Sequence, residues 1–350
     1  MPETLSDPAD LSRRLLAWYD AGHRDLPWRP APRALGEPYH VWLSEVMLQQ
    51  TTVAAVIPYY HAFLARWPTV GHLAAASDAE VMAAWAGLGY YSRARNLLAC
   101  ARAVAARPGG EFPRTEAELR ALPGLGPYTA AAVAAIAFGQ RVAAVDGNVE
   151  RVLSRVFDDA TPLPAFKAIA RALAQAVVPQ DRPGDFAQAA IDLGAVICRP
   201  RNPDCLICPW RAACRARAEG TVALRPVRAE KAVRPHRLGF AYWVESGAGV
   251  WLIRRPPKGL LGGMLALPCG EWAAEARPLA LPSGWRATTL NAPVRHVFTH
   301  FSLELTVVRV RATGDPAEVF GAGFWGTAED LEGLPTVMRK VRQCAEESSR

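Results

Sequence analysis

Four cysteines crowd into one short stretch, Cys198-x6-Cys205-x2-Cys208-x5-Cys214, with no histidine between Asp192 and Gly220. A chain with this loop has to fold so that four thiolates meet. All-thiolate sites at such spacing hold either an iron–sulfur cluster or a tetrahedral zinc. Zinc sites usually pair two C-x-x-C knuckles, whereas here there is one such pair with wider outer gaps. The spacing therefore favours iron–sulfur. The other three cysteines, Cys100, Cys269 and Cys344, are scattered. An odd total with one tight cluster fits a metal site better than a disulfide framework. Arg199, Arg201, Arg211, Arg215 and Arg217 give the loop a basic rim that suits phosphate.

The periodicity divides the chain. Apolar residues recur at three- and four-residue steps in 11–19, 41–63, 79–85, 94–106, 115–122, 129–138, 149–156 and 165–177, which predicts successive helices, with a further one over 182–197. After residue 236 the pattern becomes strand-like over 238–245, 250–255, 294–298 and 303–311. Ser246-Gly247-Ala248-Gly249 reads as a hairpin turn, and 334–344 as a closing helix. A helical part, 8–220, is thus expected before a smaller mixed domain, 238–345. Between them lies a basic stretch, 221–237, holding five basic residues against one acidic and +4 of the chain's net +7. It reads either as a solvated linker or as a strap along a polyanion. With 350 residues, 51% hydrophobic, there is ample material for a core. No apolar run spans a membrane, and the polar, acidic start lacks the features of a secretory signal. A monomeric, cytoplasmic protein without membrane contact is expected.

Residues 122–130 read Leu-Pro-Gly-Leu-Gly-Pro-Tyr-Thr-Ala, between two predicted helices. Pro127 suits a first helical position, and Gly124 and Gly126 permit unusual backbone angles and close approach. Their N–H groups, with those at the helix start, form an anion site for a DNA backbone, although an ordinary tight turn reads alike. Two carboxylates stand in unusual settings. Glu45 has Val41, Trp42, Leu48 and Gln49 as helical neighbours; it is either a surface residue or a desolvated acid able to donate a proton near neutral pH. Asp146 precedes a helix and serves either as an N-cap or as an ionised carboxylate facing positive charge on a sugar. Glycosidic cleavage needs one acid and one carboxylate.

The L-P-G-x-G hairpin, the Val145-Asp146-Gly147-Asn148-Val149 segment and the cysteine loop together resemble the helix–hairpin–helix base-excision glycosylases that carry a [4Fe–4S] cluster. Within that superfamily one group excises oxidised pyrimidines and nicks the strand with a lysine at the position of Tyr128. Tyrosine cannot form a Schiff base. Leu26-Pro27-Trp28-Arg29, Ser44–Thr51, Gly87–Arg95 and Phe186–Gly194 are similar instead to the adenine glycosylases of the MutY type. This resemblance implies a mainly α glycosylase region with two helical subdomains and an iron–sulfur loop, plus a smaller α+β Nudix-like domain. It implies monofunctional removal of adenine opposite 8-oxoguanine in double-stranded DNA. Glu45 would protonate adenine N7, Asp146 would stabilise or transiently bond the anomeric carbon, and Tyr128 and Asn148 would orient the chemistry. Arg24, Trp28, Leu48 and Gln188 would line the adenine pocket. Gln49, Gln50, Thr51, Tyr90, Leu122, Gly124, Leu125 and Gly126 would contact DNA, with Gln50 and Tyr90 entering the base stack. Cys198, Cys205, Cys208 and Cys214 would hold one [4Fe–4S] cluster. Residues alone leave packing for Leu48, Trp28 and Tyr90, and solvent exposure for Arg24 and Gln188. A strand-cleaving glycosylase/lyase and a non-catalytic DNA-binding iron–sulfur protein remain the alternatives.

Lys258–Pro268 resembles the opening of a Nudix-type fold. Catalytic members follow it with an R-E-x-x-E-E helix that holds magnesium, whereas residues 269–290 offer only Glu271 and Glu275. A non-hydrolytic recognition module is expected. Phe298-Thr299-His300 resembles the family's 8-oxoguanine loop, usually F-S-H, with threonine supplying the hydroxyl; strand packing is the alternative for Phe298 and His300.

Overall fold

Proline and capping residues decide where the helices begin. In the computed structural model, which describes residues 7–229, 234–256, 259–298 and 300–348, α1 (Pro8–Gly22) starts behind Asp7, whose carboxylate accepts from Ala9 N. The chain divides into two compact units, Met1–Glu230 and Lys231–Arg350.

The first unit continues with α2 (Pro38–Met47), α3 (Val53–Arg66), α4 (Val70–Ala75), α5 (Asp78–Ala84), α6 (Ser92–Ala105), α7 (Glu116–Arg120) and α8 (Pro127–Phe138). These helices enclose one core, centred on Trp42, Phe63, Trp85 and the alanines of α8. Then come α9 (Gly147–Val156), α10 (Phe166–Val177), α11 (Pro183–Asp192) and the short α12 (Arg215–Ala218). With α1 they build a second core around Leu15, Tyr19, Leu153, Phe166 and Trp210. Two helical subdomains result, as the resemblance implies.

α8 is the pivot between them. Its residues from Thr129 to Ala137 are all buried, so it has no polar face and is a central helix rather than an amphipathic one. α2, α7 and α11 pack on it. Small side chains allow the close approach: a Cβ at Gly184 of α11 would stand 2.8 Å from the Ala135 carbonyl oxygen.

Two predicted helices differ from expectation. The span 41–63 breaks into α2 and α3, because Gln50 takes a left-handed φ of +58° and Thr52 caps the new helix through Ala55 N. The span 182–197 is α-helical to Asp192 and then widens into a π turn, Leu193–Ile197. Such widening is common at functional sites.

The second unit is a mixed sheet of β1 (His236–Ser246), β2 (Gly249–Arg254), β3 (Leu265–Ala266), β4 (Arg286–Thr289), β5 (Val294–Val297), β6 (Ser302–Arg311) and β7 (Gly323–Gly326). The central order is β3-β2-β1-β6-β4, with β5 also pairing β6 and β7 pairing β2. β1 and β6 run parallel; β1 and β2 form the expected hairpin, with Ser246 opposite Gly249. Helices α13 (Ala317–Phe320), α14 (Ala328–Glu332) and α15 (Thr336–Glu347) complete it. One sheet face packs Trp243, Leu252 and Leu305 with Val337 and Val341 of α15, while the other packs Tyr242 and Trp251 with Phe320 and Trp325. Both faces being covered explains the unbroken apolar run in β1. The span 269–285, where a magnesium-holding helix would fall, is irregular; it carries only bridges from Cys269 and Ala273 to β1.

Candidate active site

Glu45 sits in the last turn of α2, among buried Val41, Trp42, Leu43, Val46 and Met47, and is itself only 8% exposed. Burial pushes its carboxyl up to about 7. The Tyr128 hydroxyl donates to it and opposes the rise, the Asp146 charge adds to it, and Arg29 opposes. The neighbouring Tyr128 phenol is raised far above its ordinary value, first by burial and then by the Glu45 charge. A carboxyl poised near neutrality is a proton donor in the working range.

Asp146 forms the facing wall and is at once the N-cap of α9. Its Oδ1 accepts from the backbone N–H groups of Asn148 (2.9 Å) and Val149 (2.8 Å), and its Oδ2 accepts from Asn148 Nδ2 (2.8 Å). Burial raises its carboxyl, while these donors and Arg151 favour the ionised form. Asn148 is held in turn, because Arg151 Nη2 donates to its Oδ1 at 2.9 Å and to the Gly194 carbonyl at 2.8 Å. Gly194 has to be small: a Cβ there would lie 2.6 Å from Asn148 Cβ.

Both walls belong to one cleft of about 650 Å³, a size that suits a nucleoside. Leu26, Trp28, Leu48 and Ile191 give it apolar surface, and Gln49 and Gln188 give it amides. Trp28 is buried against Tyr60, edge to face at 5.4 Å. Gln188 is 4% exposed and donates to the Gly184 carbonyl, so it is not a solvated side chain. Arg24 is half-buried and paired: with Arg29 it clamps the buried Asp192, Arg29 Nη1 at 2.5 Å and Arg24 Nε at 2.7 Å. Burial alone would raise Asp192, but the two guanidinium groups outweigh it and hold the carboxyl below the usual range. Arg29, Asp192 and Arg151 are parts of the site that the sequence reading did not single out. Asp192 and its arginines are 163 and 168 residues apart, and no local pattern announces the pairing.

The hairpin borders the same cleft. Leu122 and Leu125 are buried, and Gly124 and Gly126 are exposed and line it. Only Gly124 needs its special backbone, with φ +76° and Asn96 packed where a Cβ would go; Gly126 has an ordinary φ of −78°. The expectation that both glycines adopt unusual angles is corrected accordingly. Gly126 offers α8 no side-chain cap, so the first-turn N–H groups remain available for an anion. Gln50, Thr51 and Gln49 follow Glu45 at the rim, with Gln49 Nε2 donating to Thr129 Oγ1 at 3.2 Å. Tyr90 is 61% exposed and, like Gln50, left-handed, at φ +49°.

Cys198, Cys205, Cys208 and Cys214 line a separate cavity with Val152, Leu193 and Trp210. Arg155 Nη1 donates to Cys198 Sγ at 3.3 Å, and Trp210 Nε1 ties the loop to the Leu11 carbonyl of α1. Among the described residues, no three Cys, His, Asp or Glu side chains converge closely enough to hold a single ion. Residues 222–229 of the basic stretch pack on this unit, where Leu163 N donates to Val227 O and Arg225 pairs with Asp158.

In the second unit Phe298 lies just past β5, stacked on Trp272 (5.9 Å, 27°) and against Phe301 (4.8 Å). Its N–H donates to the Phe301 carbonyl, which closes a tight loop. His300 is exposed at that loop, and Thr299 lies outside the described residues.

Residues 43–179 match the HhH-GPD superfamily of base excision DNA repair proteins, and residues 240–343 match the NUDIX domain. An adenine DNA glycosylase of Homo sapiens is 39% identical over 93% of this chain and 72% of its own length. One from Rattus norvegicus is 36% identical over 99% of this chain and 80% of its own. A solved thermostable thymine-DNA glycosylase superposes with a TM-score of 0.54 at 29% identity, covering 61% of this chain and 97% of that one. Among the described residues no helix is long and apolar enough to cross a membrane.

Proposed function

The chain belongs to the adenine DNA glycosylase family and is a base-excision repair DNA glycosylase, and on that premise we propose that it hydrolyses the bond between adenine and deoxyribose where adenine is mispaired with 8-oxoguanine, leaving the strand uncut. The observation that carries this reading is the single cleft in which Glu45, raised to about 7, faces the hydrogen-bonded carboxylate of Asp146.

The target bond is inaccessible inside a duplex, so adenine has to leave the stack. Gln50, exposed at the rim, and the exposed Tyr90 fill the gap, while the hairpin from Leu122 to Gly126 holds the backbone. The extruded base enters between Trp28 and Leu48, with Gln188 and Arg24 beside it. Glu45 delivers a proton to N7 and makes adenine a neutral leaving group. As the bond breaks, positive charge grows on the anomeric carbon, and Asp146 stabilises it. Tyr128 and Asn148 hold the two carboxyl groups in place, and water completes the hydrolysis. Tyr128 carries no amine, so a Schiff base and the strand cleavage that follows from it have no nucleophile at this position.

Cys198, Cys205, Cys208 and Cys214 fit one [4Fe–4S] cluster: they are four cysteines lining one cavity, with an arginine N–H already donating to one of the sulfurs. When bound, the cluster ties the basic loop into a fixed shape that can meet phosphate. We assign residues 8–220 to the glycosylase, 221–237 to the connection and 238–345 to a module that reads 8-oxoguanine through Phe298, Thr299 and His300. The protein acts as a monomer on double-stranded DNA inside the cell.

The test is a glycosylase assay on two duplexes, one with adenine opposite 8-oxoguanine and one with adenine opposite thymine. Free adenine from the first alone is expected, with no borohydride-trapped adduct. Release from neither overturns the assignment, and efficient trapping shifts it to a glycosylase/lyase. A brown protein absorbing near ~400 nm, with about four irons per chain, is expected for the cluster; a colourless one-zinc protein contradicts it.

A further inference from the structure

Arg93, in the first turn of α6, is a buried cation without an anion. It is 8% exposed, and among the described residues no carboxylate pairs with it. Burying an unpaired charge is costly unless its hydrogen bonds are satisfied. Arg93 directs both of its Nη groups to two loops and a helix end, while its buried Nε–H has no partner among the described residues. Nη1 donates to the carbonyls of Met47 (2.9 Å) and Val46 (3.3 Å), in the last turn of α2. Nη2 donates to Thr51 Oγ1 (3.0 Å) and to the carbonyls of Leu88 (3.0 Å) and Gly89 (3.3 Å). The guanidinium carbon lies over the rings of Trp85 (5.2 Å) and Tyr90 (5.6 Å).

These acceptors bracket three residues. Val46 and Met47 directly follow Glu45, Thr51 directly follows Gln50, and Leu88 and Gly89 directly precede Tyr90. Gln50 and Tyr90 are both exposed and both left-handed, conformations that are unfavourable for a non-glycine residue and persist only when their surroundings impose them. Arg93 is the surrounding they share. A positive group at the C-terminal end of α2 is also favoured by the helix dipole.

We propose that Arg93 is a positioning residue that anchors the Gln50 and Tyr90 loops on the end of the Glu45 helix, so that both residues are held ready to fill the base stack when adenine leaves it. This rests on the functional reading above. Lysine keeps the charge but cannot reproduce a planar fork with five acceptors.

The test compares wild type with R93K in single-turnover adenine release on two duplexes, one with adenine opposite 8-oxoguanine and one with adenine opposite an abasic site, where pairing no longer resists extrusion. A 2-aminopurine beside the target reports extrusion. R93K is expected to lose about tenfold or more on the first duplex, with a matching loss of the extrusion signal, and to come within about threefold of wild type on the second. T51V removes one acceptor and leaves the arginine, and provides the milder probe with the same pattern at about two- to fivefold. Equal losses on both duplexes, or no loss, from either variant overturn the proposal while leaving the enzyme assignment intact. Wild-type protein that releases no adenine from the mispair overturns that assignment and this inference with it.

Discussion

The two units bury different things. Every buried Ser, Thr, Gln, Asp, Glu and Arg side chain among the described residues lies in the first unit, from Ser12 to Asp192; the second buries apolar and aromatic side chains only. The first unit thus carries the cost of desolvated charge, some of it at the cleft, where Glu45 and Gln188 line the wall and Arg29 holds Asp192, and some of it apart from the cleft, at Arg93, Glu150 and Arg155. The second displays its polar groups at the surface, around an aromatic stack of Trp272, Phe298 and Phe301. Desolvated ionisable groups are what bond breaking requires, and a partly exposed aromatic loop is what base recognition requires. On the function proposed above, chemistry belongs to the first unit and discrimination to the second.

The sharpest way to break that division is E45Q. It should lower single-turnover adenine release by about 10³-fold or more while duplex binding stays within a few-fold; wild-type-like release would remove chemistry from this cleft. D146N comes next, at about 10²–10³-fold. Asparagine is also a good N-cap, so its melting temperature should stay close to wild type and separate folding from catalysis. The pH dependence sharpens the same point. Glu45 is raised from 4.5 to about 7, so the folded protein holds a proton that the unfolded chain loses. Release should therefore fall as pH rises through about 7. Stability follows the same sign: wild type and E45Q should melt alike below about pH 4.5, and E45Q should gain on wild type between about 4.5 and 7, approaching about 3 kcal/mol. In the second unit F298A should leave intrinsic bond cleavage alone and reduce the preference for 8-oxoguanine over guanine by about tenfold, read as a ratio of rates. The smallest effect belongs to the double variant E271Q/E275Q. It should change neither release nor binding, and magnesium-dependent cleavage of an oxidised nucleoside triphosphate by wild type would overturn the division from the other side.

Much of this arrangement was legible in the sequence where it depends on near neighbours. The apolar residues around Glu45, the capping position of Asp146 and the proline start of α8 are local, and the structure has them together. What escaped is of two kinds. Backbone strain is one: nothing in the composition of Leu48–Thr52 announces that Gln50 turns left-handed and splits a predicted helix, and Gly126 was given a freedom that it does not use. Long-range pairing is the other. Arg24 and Arg29 meet Asp192, and Arg93 meets the end of α2 and Thr51, across sequence gaps that no periodicity spans. In the second unit β4 escaped because all four of its residues are exposed, and the two-residue β3 is too short for any alternation to register.

The alanine spine of α8 has a further consequence. It touches the helices that carry both the acid and Gln188, and its alanines are buried throughout, so one added isopropyl group at Ala131, Ala132, Ala134 or Ala135 would have to displace the surrounding core. Damage there would register as lost repair although every reacting group remained in the chain. A survey of inactivating changes in this protein should thus find a hot segment with no chemistry of its own, where the geometry of the pocket is written in methyl groups.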